Sequence, residues 1–341
     1  MDRTIFITWD YELFMGPKTG SVNNCLIKPI GELLSALGDR KVTMTFFVDC
    51  AYLYRLNELR SSYPRLEEDY QLVLQNLHEI LHKGHEIQMH IHPQWYYSTF
   101  DGEKWIMDFE HYKLSDIEDT KLISLFAKSK SLLDEICGYS TIAYRAGGFS
   151  IDDSRIFPKL FKDNGIQIDS SVLIGSHFDS STLSYDFRKA PQKDSWRFSD
   201  SVSKEDVNGP FVELPIGTHK SFGLMFYLNK IKTLSYHQGD YQPWGDGVSV
   251  VTIYSKWHFL KEKVSNTLSF IPLNASIDTI GSRRLEESFH CQRGKYFVLI
   301  SHPKYLSPQS IRDLICFIDN HFDCHYVGVS SLLNNNVLWL T

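Results

Sequence analysis

Short apolar runs alternate with longer amphipathic stretches from one end of the chain to the other, the pattern of repeating strand–helix units. Ile5 to Trp9, Thr43 to Val48, Glu86 to His90, Ile142 to Tyr144, Ile166 to Asp169, Phe211 to Leu214, Tyr296 to Ser301 and Tyr326 to Val329 read as strands. They are short and rich in β-branched and aromatic residues. Between them, Cys25 to Gly38, Leu66 to Lys83, Ser115 to Cys137, Asp152 to Asn164 and Ser307 to Asn320 carry apolar residues at helical spacing. Glycine follows or ends four of these helices, and Pro308 stands in the first turn of the last.

Strands alternating with helices, with polar residues at the strand C-terminal ends, predict an α/β fold: a (β/α) barrel of mostly parallel strands with its chemistry on the C-terminal face. Two stretches break the rhythm, near residues 94–114 and 217–294. They read as long loop insertions over the site, so that residues 1–341 form a single barrel domain.

Composition narrows the classes. The 341 residues are 43% hydrophobic, enough for a large core. A net charge of −6 with dispersed charges argues against a nucleic-acid-binding stripe or a polybasic membrane patch. No run of about 18 apolar residues and no leader pattern is present, so the expectation is a protein without a transmembrane segment, located in the cytoplasm. The six cysteines lack CxxC or zinc-finger spacing and read as reduced thiols.

Four clusters follow predicted strands. In Asp10-Tyr11-Glu12, alternate residues of an extended chain turn two carboxylates one way, and a cation or a shared proton would relieve their repulsion. His90-Ile91-His92-Pro93 does the same for two imidazoles; with one carboxylate they suit a divalent ion with open positions. Tyr144-Arg145-Ala146-Gly147-Gly148 carries an Arg into glycines, and Ser301-His302-Pro303-Lys304 brings a His out of an apolar strand. Each alone is as readily a loop, a turn or a core histidine.

Taken in order, these clusters resemble the polysaccharide deacetylase family (carbohydrate esterase family 4). Thr8-Trp9-Asp10-Tyr11-Glu12 resembles its first acid motif, and Gly84 to His90 its histidine motif. Arg145 resembles its third-motif arginine, the stretch Gly165 to Ser170 its further Asp, and Ser301-His302-Pro303 its last motif. The chain departs from the pattern in having Asp-x-Glu, Gln94 four residues after His90, and Gly147-Gly148 after the arginine. These mark a divergent Asp-x-Glu, His-x-His-Pro branch. The resemblance implies a distorted (β/α) barrel and a metal-dependent hydrolase that removes an acetyl or formyl group from the nitrogen of a sugar. It implies that Glu12, His90 and His92 hold a divalent ion, expected to be Zn²⁺, which polarises the amide carbonyl and acidifies water. Asp10 is then the base, Arg145 its anchor, His302 the acid with Asp169 as orienting partner, and a backbone N–H near Gly148 an oxyanion contact. Trp95, Tyr96 and Trp105 are candidates to stack on sugar faces. The absence of an export pattern favours a nucleotide-linked or lipid-linked sugar, or an oligosaccharide, as the partner, and the expected role is in making a precursor of a surface polysaccharide.

Two other readings remain. A catalytically inactive carbohydrate-binding relative would lack the metal. His78-Glu79-Ile80-Leu81-His82 fits the HExxH zinc-protease pattern, but the positions of its extended form hold His85 and Gln88.

Overall fold

The computed structural model describes residues 3–151, 156–180, 183–224, 239–249, 270–278 and 281–334. Parts of two expected features, the start of the Asp152 to Asn164 helix and much of the 217–294 insertion, lie outside the described residues.

The centre is a nine-stranded sheet among the described residues. Its strands are β1 (Thr4–Tyr11), β2 (Met44–Asp49), β3 (Glu86–Ile91), β4 (Ala143–Ala146), β5 (Ile168–Asp169), β6 (Trp196–Phe198), β7 (Phe211–Glu213), β8 (Tyr296–Ser301) and β9 (His325–Tyr326). They run in the order β6-β7-β5-β4-β3-β2-β1-β8, with β9 also on β1. Within this sheet, among the described residues, only β6 and β7 pair antiparallel. Strands β1, β2 and β3 are buried almost throughout, which is why they read as near-continuous apolar runs rather than alternating ones.

The sheet curls until its ends meet. Leu214 N–H donates to Asp169 O at 2.8 Å and Ile216 N–H to Val172 O at 2.9 Å; one residue on, Gly217 N–H donates to Val298 O of β8 at 2.8 Å. A Cβ on Gly217 would lie 2.6 Å from that same oxygen, so only glycine lets the two segments approach. The expected distorted (β/α) barrel therefore forms, joined at this seam by a few bonds instead of a strand pair.

Helices cover the sheet: α1 (Lys28–Leu37), α2 (Cys50–Leu59), α3 (Pro64–His82), α4 (Asp119–Cys137), α5 (Ile156–Asn164), α6 (Gly281–Cys291) and α7 (Pro308–Asn320). Helix α2 follows β2 directly and was not read from the sequence. Asp49 caps it, accepting from Ala51 N–H and Tyr52 N–H. Helix α3 buries Leu77 with Leu66, Tyr70, Val73 and Ile80, while Leu74 and Leu81 are only half-buried. His78, Glu79 and His82 point outward and are exposed. All six cysteines are free. Among the described residues no helix is long and apolar enough to cross a membrane.

Candidate metal and acid–base centre

Strand ends on one face of the barrel deliver the polar groups. Residues Thr8, Asp10 and Glu12 share a side of the chain because they are two apart. Across the sheet, His90 of β3 stands in register with Arg145 of β4. Arg145 is fully buried. Its Nη1 donates to Asp10 Oδ1 at 2.7 Å and Thr8 Oγ1 at 2.9 Å; Nε and Nη2 donate to Ser170 O and Oγ at 2.8 and 3.0 Å. Phe47 lies under the guanidinium, 4.2 Å from ring centroid to Cζ. A buried cation persists only when it is paired and bonded in this way.

Glu12 links two half-sites. Its Oε2 lies 2.9 Å from His90 Nε2 and 2.5 Å from His92 Nε2, while its Oε1 accepts from Lys304 Nζ at 2.7 Å. Burial would raise the Glu12 carboxyl. The charges of Lys304 and His92 and the bonds from both imidazoles outweigh it and hold Glu12 well below the usual carboxylate range.

His90 Nδ1–H donates to Arg145 O at 2.8 Å. Its Nε2 therefore meets Glu12 either as a second N–H or as a lone pair with a cation between them. Burial opposes the second proton, yet the charge of Asp10 and the bond to Glu12 raise His90 to about 9.

The residues fit a divalent ion. Glu12, His90 and His92 offer ligand atoms that all lie within 4.8 Å of one another, and all three residues are buried. One carboxylate and two imidazoles form a donor set that leaves coordination positions open. His92 carries a further sign. Its Nδ1 lies 3.4 Å from Gln94 Nε2, and Gln94 Oε1 is buried with no hydrogen-bond partner among the described residues. The Gln94 amide turned over gives His92 Nδ1–H an acceptor and frees Nε2 for a ligand bond. Gly147 makes room for that ring, since a Cβ there would stand 2.7 Å from His92 Nδ1.

His302 faces the other half-site, with Nε2 3.6 Å from Glu12 Oε1 and 3.7 Å from Asp10 Oδ2. Asp278 holds it: Oδ2 is 2.7 Å from Nδ1, and Oδ1 accepts the backbone N–H of His302 at 2.9 Å. Burial lowers the His302 pKa, but the charge and hydrogen bond of Asp278, with Glu12 and Asp10 behind it, raise it overall. The arrangement can hold a proton on His302, a carboxylate on Asp10 and a cation at Glu12.

No family model matches the chain, and no curated protein matches it. Solved structures do. A candidate polysaccharide deacetylase from Mycobacterium smegmatis is 17% identical over 98% of this chain and 90% of that one, with a TM-score of 0.47. The peptidoglycan deacetylase PdaC from Bacillus subtilis is 12% identical over 98% and 91%, TM-score 0.41. A GH57-type branching enzyme from Pyrococcus horikoshii is 9% identical over 98% and 70%, TM-score 0.53. At these identities the likeness is one of fold.

The structure brings Asp10, Glu12, His90, His92, Arg145 and His302 together. It corrects the expectation for Asp169. That residue does not orient His302; it accepts from Ser171 N–H and Oγ–H and faces Glu213. Its strand, β5, delivers it beside the arginine's Ser170, while the partner of His302 comes from Asp278. The aromatic expectations are corrected too. Trp95 is 0% exposed and packs on Tyr52 and Trp105 at 4.8 and 5.2 Å between centroids, so no sugar face can reach it. Tyr96 is buried with its hydroxyl on Ser129, and Trp105 is buried among Tyr52, Trp95 and Phe100. Gly148, with φ +59°, lies against Leu183 and Tyr112.

Sequence reasoning assigned no role to Lys304 or Asp278. Lys304 stood two residues beyond His302, where a period of two marks the same side. Asp278 lay in a stretch whose periodicity was unreadable. Ile300 N–H donates to Ala275 O at 3.0 Å, and Ile277 N–H to Ser301 Oγ at 3.1 Å, so residues 275–278 lie along β8 and end beside His302.

Proposed function

We propose that the chain is a metal-dependent hydrolase that removes an N-acyl group from a sugar. The observation that carries this reading is the convergence of three elements: the Glu12–His90–His92 donor set, the Arg145-bound Asp10, and the Asp278-bound His302. When bound, the ion supplies polarisation of the acyl carbonyl and acidification of water. The chain's own groups do the rest. Asp10, ionised and fixed by Arg145, accepts the proton of the attacking water. His302, charged and held by Asp278, delivers a proton to the departing sugar amine. Amide hydrolysis needs both transfers, because an amine leaves poorly as its anion. Within the class of N-acyl sugars we propose a nucleotide-linked or lipid-linked sugar as the substrate and Zn²⁺ as the ion.

The test combines metal analysis of the purified protein with amine release from a panel of N-acetyl and N-formyl sugars. Wild type should hold about one divalent ion per chain and release amine. His90→Ala should lose both. Stoichiometric metal in His90→Ala would remove the ligand assignment, and a wild type that holds metal but releases no amine from any panel member would remove the substrate class. Exposed Glu79 separates this reading from the HExxH protease, because Glu79→Gln should leave amine release unchanged.

A further inference from the structure

We infer that Lys304 is a positioning residue that keeps Glu12 a one-oxygen donor, so that coordination positions on the divalent ion stay open. The inference rests on the metal reading above and deepens it.

The two oxygens of Glu12 have separate surroundings. Oε2 faces the two ligand imidazoles, at 2.9 Å from His90 Nε2 and 2.5 Å from His92 Nε2, whereas His302 Nε2 stands 3.6 Å from Oε1. Oε1 belongs to Lys304 Nζ at 2.7 Å. The same ammonium donates to Leu13 O at 2.9 Å, so one group pins both the carboxylate and the backbone beside it. A carboxylate whose second oxygen accepts a charge-assisted bond is held back from chelating with both arms.

The lysine is built in. Its side chain is buried, with Nζ 5.1 Å from the Phe14 ring centroid and 5.6 Å from that of Tyr305. Those two rings meet edge to face at 5.3 Å. The segment around Trp244 lies across its backbone: Trp244 N–H donates to Leu306 O at 3.0 Å, and a Cβ on Gly245 would fall 2.2 Å from Lys304 O. An ammonium taken out of water at this depth loses its hydration and must be repaid by fixed acceptors, unlike an exposed pair that forms and breaks freely.

The charge balance points the same way. Glu12 and Asp10 are each paired with one cation, Lys304 and Arg145, at 2.7 Å in both cases. Within these two pairs the charges cancel, so neither carboxylate sets an unpaired negative charge beside a bound ion. Without Lys304, Glu12 would offer the ion a second oxygen and an uncompensated charge.

The experiment loads Co²⁺ into metal-stripped wild type, Lys304→Met and Lys304→Arg, and records the visible ligand-field spectrum, bound Co²⁺, melting temperature and amine release. Wild type should show the intense bands of a low-coordinate ion. Lys304→Met should still bind Co²⁺, with bands several-fold weaker as Glu12 chelates, and its kcat should fall about 10–100-fold, the usual range for a group that orients a ligand, with KM little changed. Lys304→Arg, which restores a cation on Oε1, should recover much of the wild-type spectrum. If Lys304→Met does not fold, Lys304→Gln takes its place with the same expectation. A Met or Gln variant that melts as wild type does and keeps the wild-type spectrum and kcat overturns the inference alone. Wild type that binds no Co²⁺ overturns the metal reading, and the inference with it.

Discussion

Replacing Asp169 by Asn should make stability less dependent on pH. Asp169 and Glu213 stand opposite each other in the β5–β7 register, and both are 0% exposed. Ser171 donates twice to Asp169, and Val172 N–H donates to Glu213 Oε1 at 3.1 Å. Burial raises Asp169 to about 6, against the opposing bonds from Glu213 and Ser171 and the charge of Arg145. Burial, then the charge of Asp169, raises Glu213 well above its ordinary value. A carboxyl raised on folding contributes stability that is fully present below its unfolded pKa and is lost as pH rises through its folded pKa. For Asp169 the interval from 3.8 to about 6 corresponds to about 3 kcal/mol. Of this, about 2 kcal/mol should disappear between pH 4.5 and pH 8. Asn cannot ionise and does not lose it. The variant will forfeit about 1 kcal/mol for each Ser171 bond that weakens, but that loss is the same at every pH. Urea denaturation of both proteins at pH 4.5, 6, 7 and 8 checks this. The stability difference should move in favour of the variant by about 2 kcal/mol from the lowest pH to the highest. A difference that stays constant across the range would refute the burial-raised ionisation of Asp169.

Three further outcomes follow from the site. Arg145→Met should destabilise the fold by about 3–5 kcal/mol, because it leaves Asp10 buried without its cation; denaturant titration measures this, and a loss under 1 kcal/mol would contradict it. Asp278→Asn should retain metal but slow amine release by about 10²–10⁴-fold, while Asp169→Asn in the same assay should spare it, since only Asp278 touches His302 Nδ1. Gly147→Ala should weaken metal binding, because the new Cβ would stand 2.5 Å from Ile91 O and 2.7 Å from His92 Nδ1; metal titration of the folded variant reads the change, and wild-type affinity would show that His92 has slack.

Much of the barrel was legible because its signals are local. Strands β1, β2, β3 and β8 are buried on both faces and so are written as unbroken apolar runs, and helices α3, α4 and α7 carry their own periodicity with Pro or Gly at an end. Helix α2 was missed because it starts directly after the last residue of a strand, with Asp49 serving as both strand end and cap. Within the site, Asp10 with Glu12, and His90 with His92, could be grouped because a period of two sets them on one side of their own strands.

What the sequence could not decide is which strand end meets which. His302 lay as near in sequence to no acid that would mark its partner, and Asp169, on a strand of the same sheet, turned instead to Glu213 and the Arg145 side of the barrel. Asp278 reaches His302 only because residues 275–278 lie along β8, and Lys304 reaches Glu12 only because β1 and β8 are parallel neighbours with Trp9 opposite Ser301. Trp95 and Trp105 show the same limit from the other side, since an aromatic run over a site and an aromatic run filling the core have one composition. Periodicity fixes the side of a strand on which a residue stands. The curl of the sheet and its register, set by packing among residues far apart in the chain, 292 positions in the case of Lys304 and Glu12, decide what that side faces.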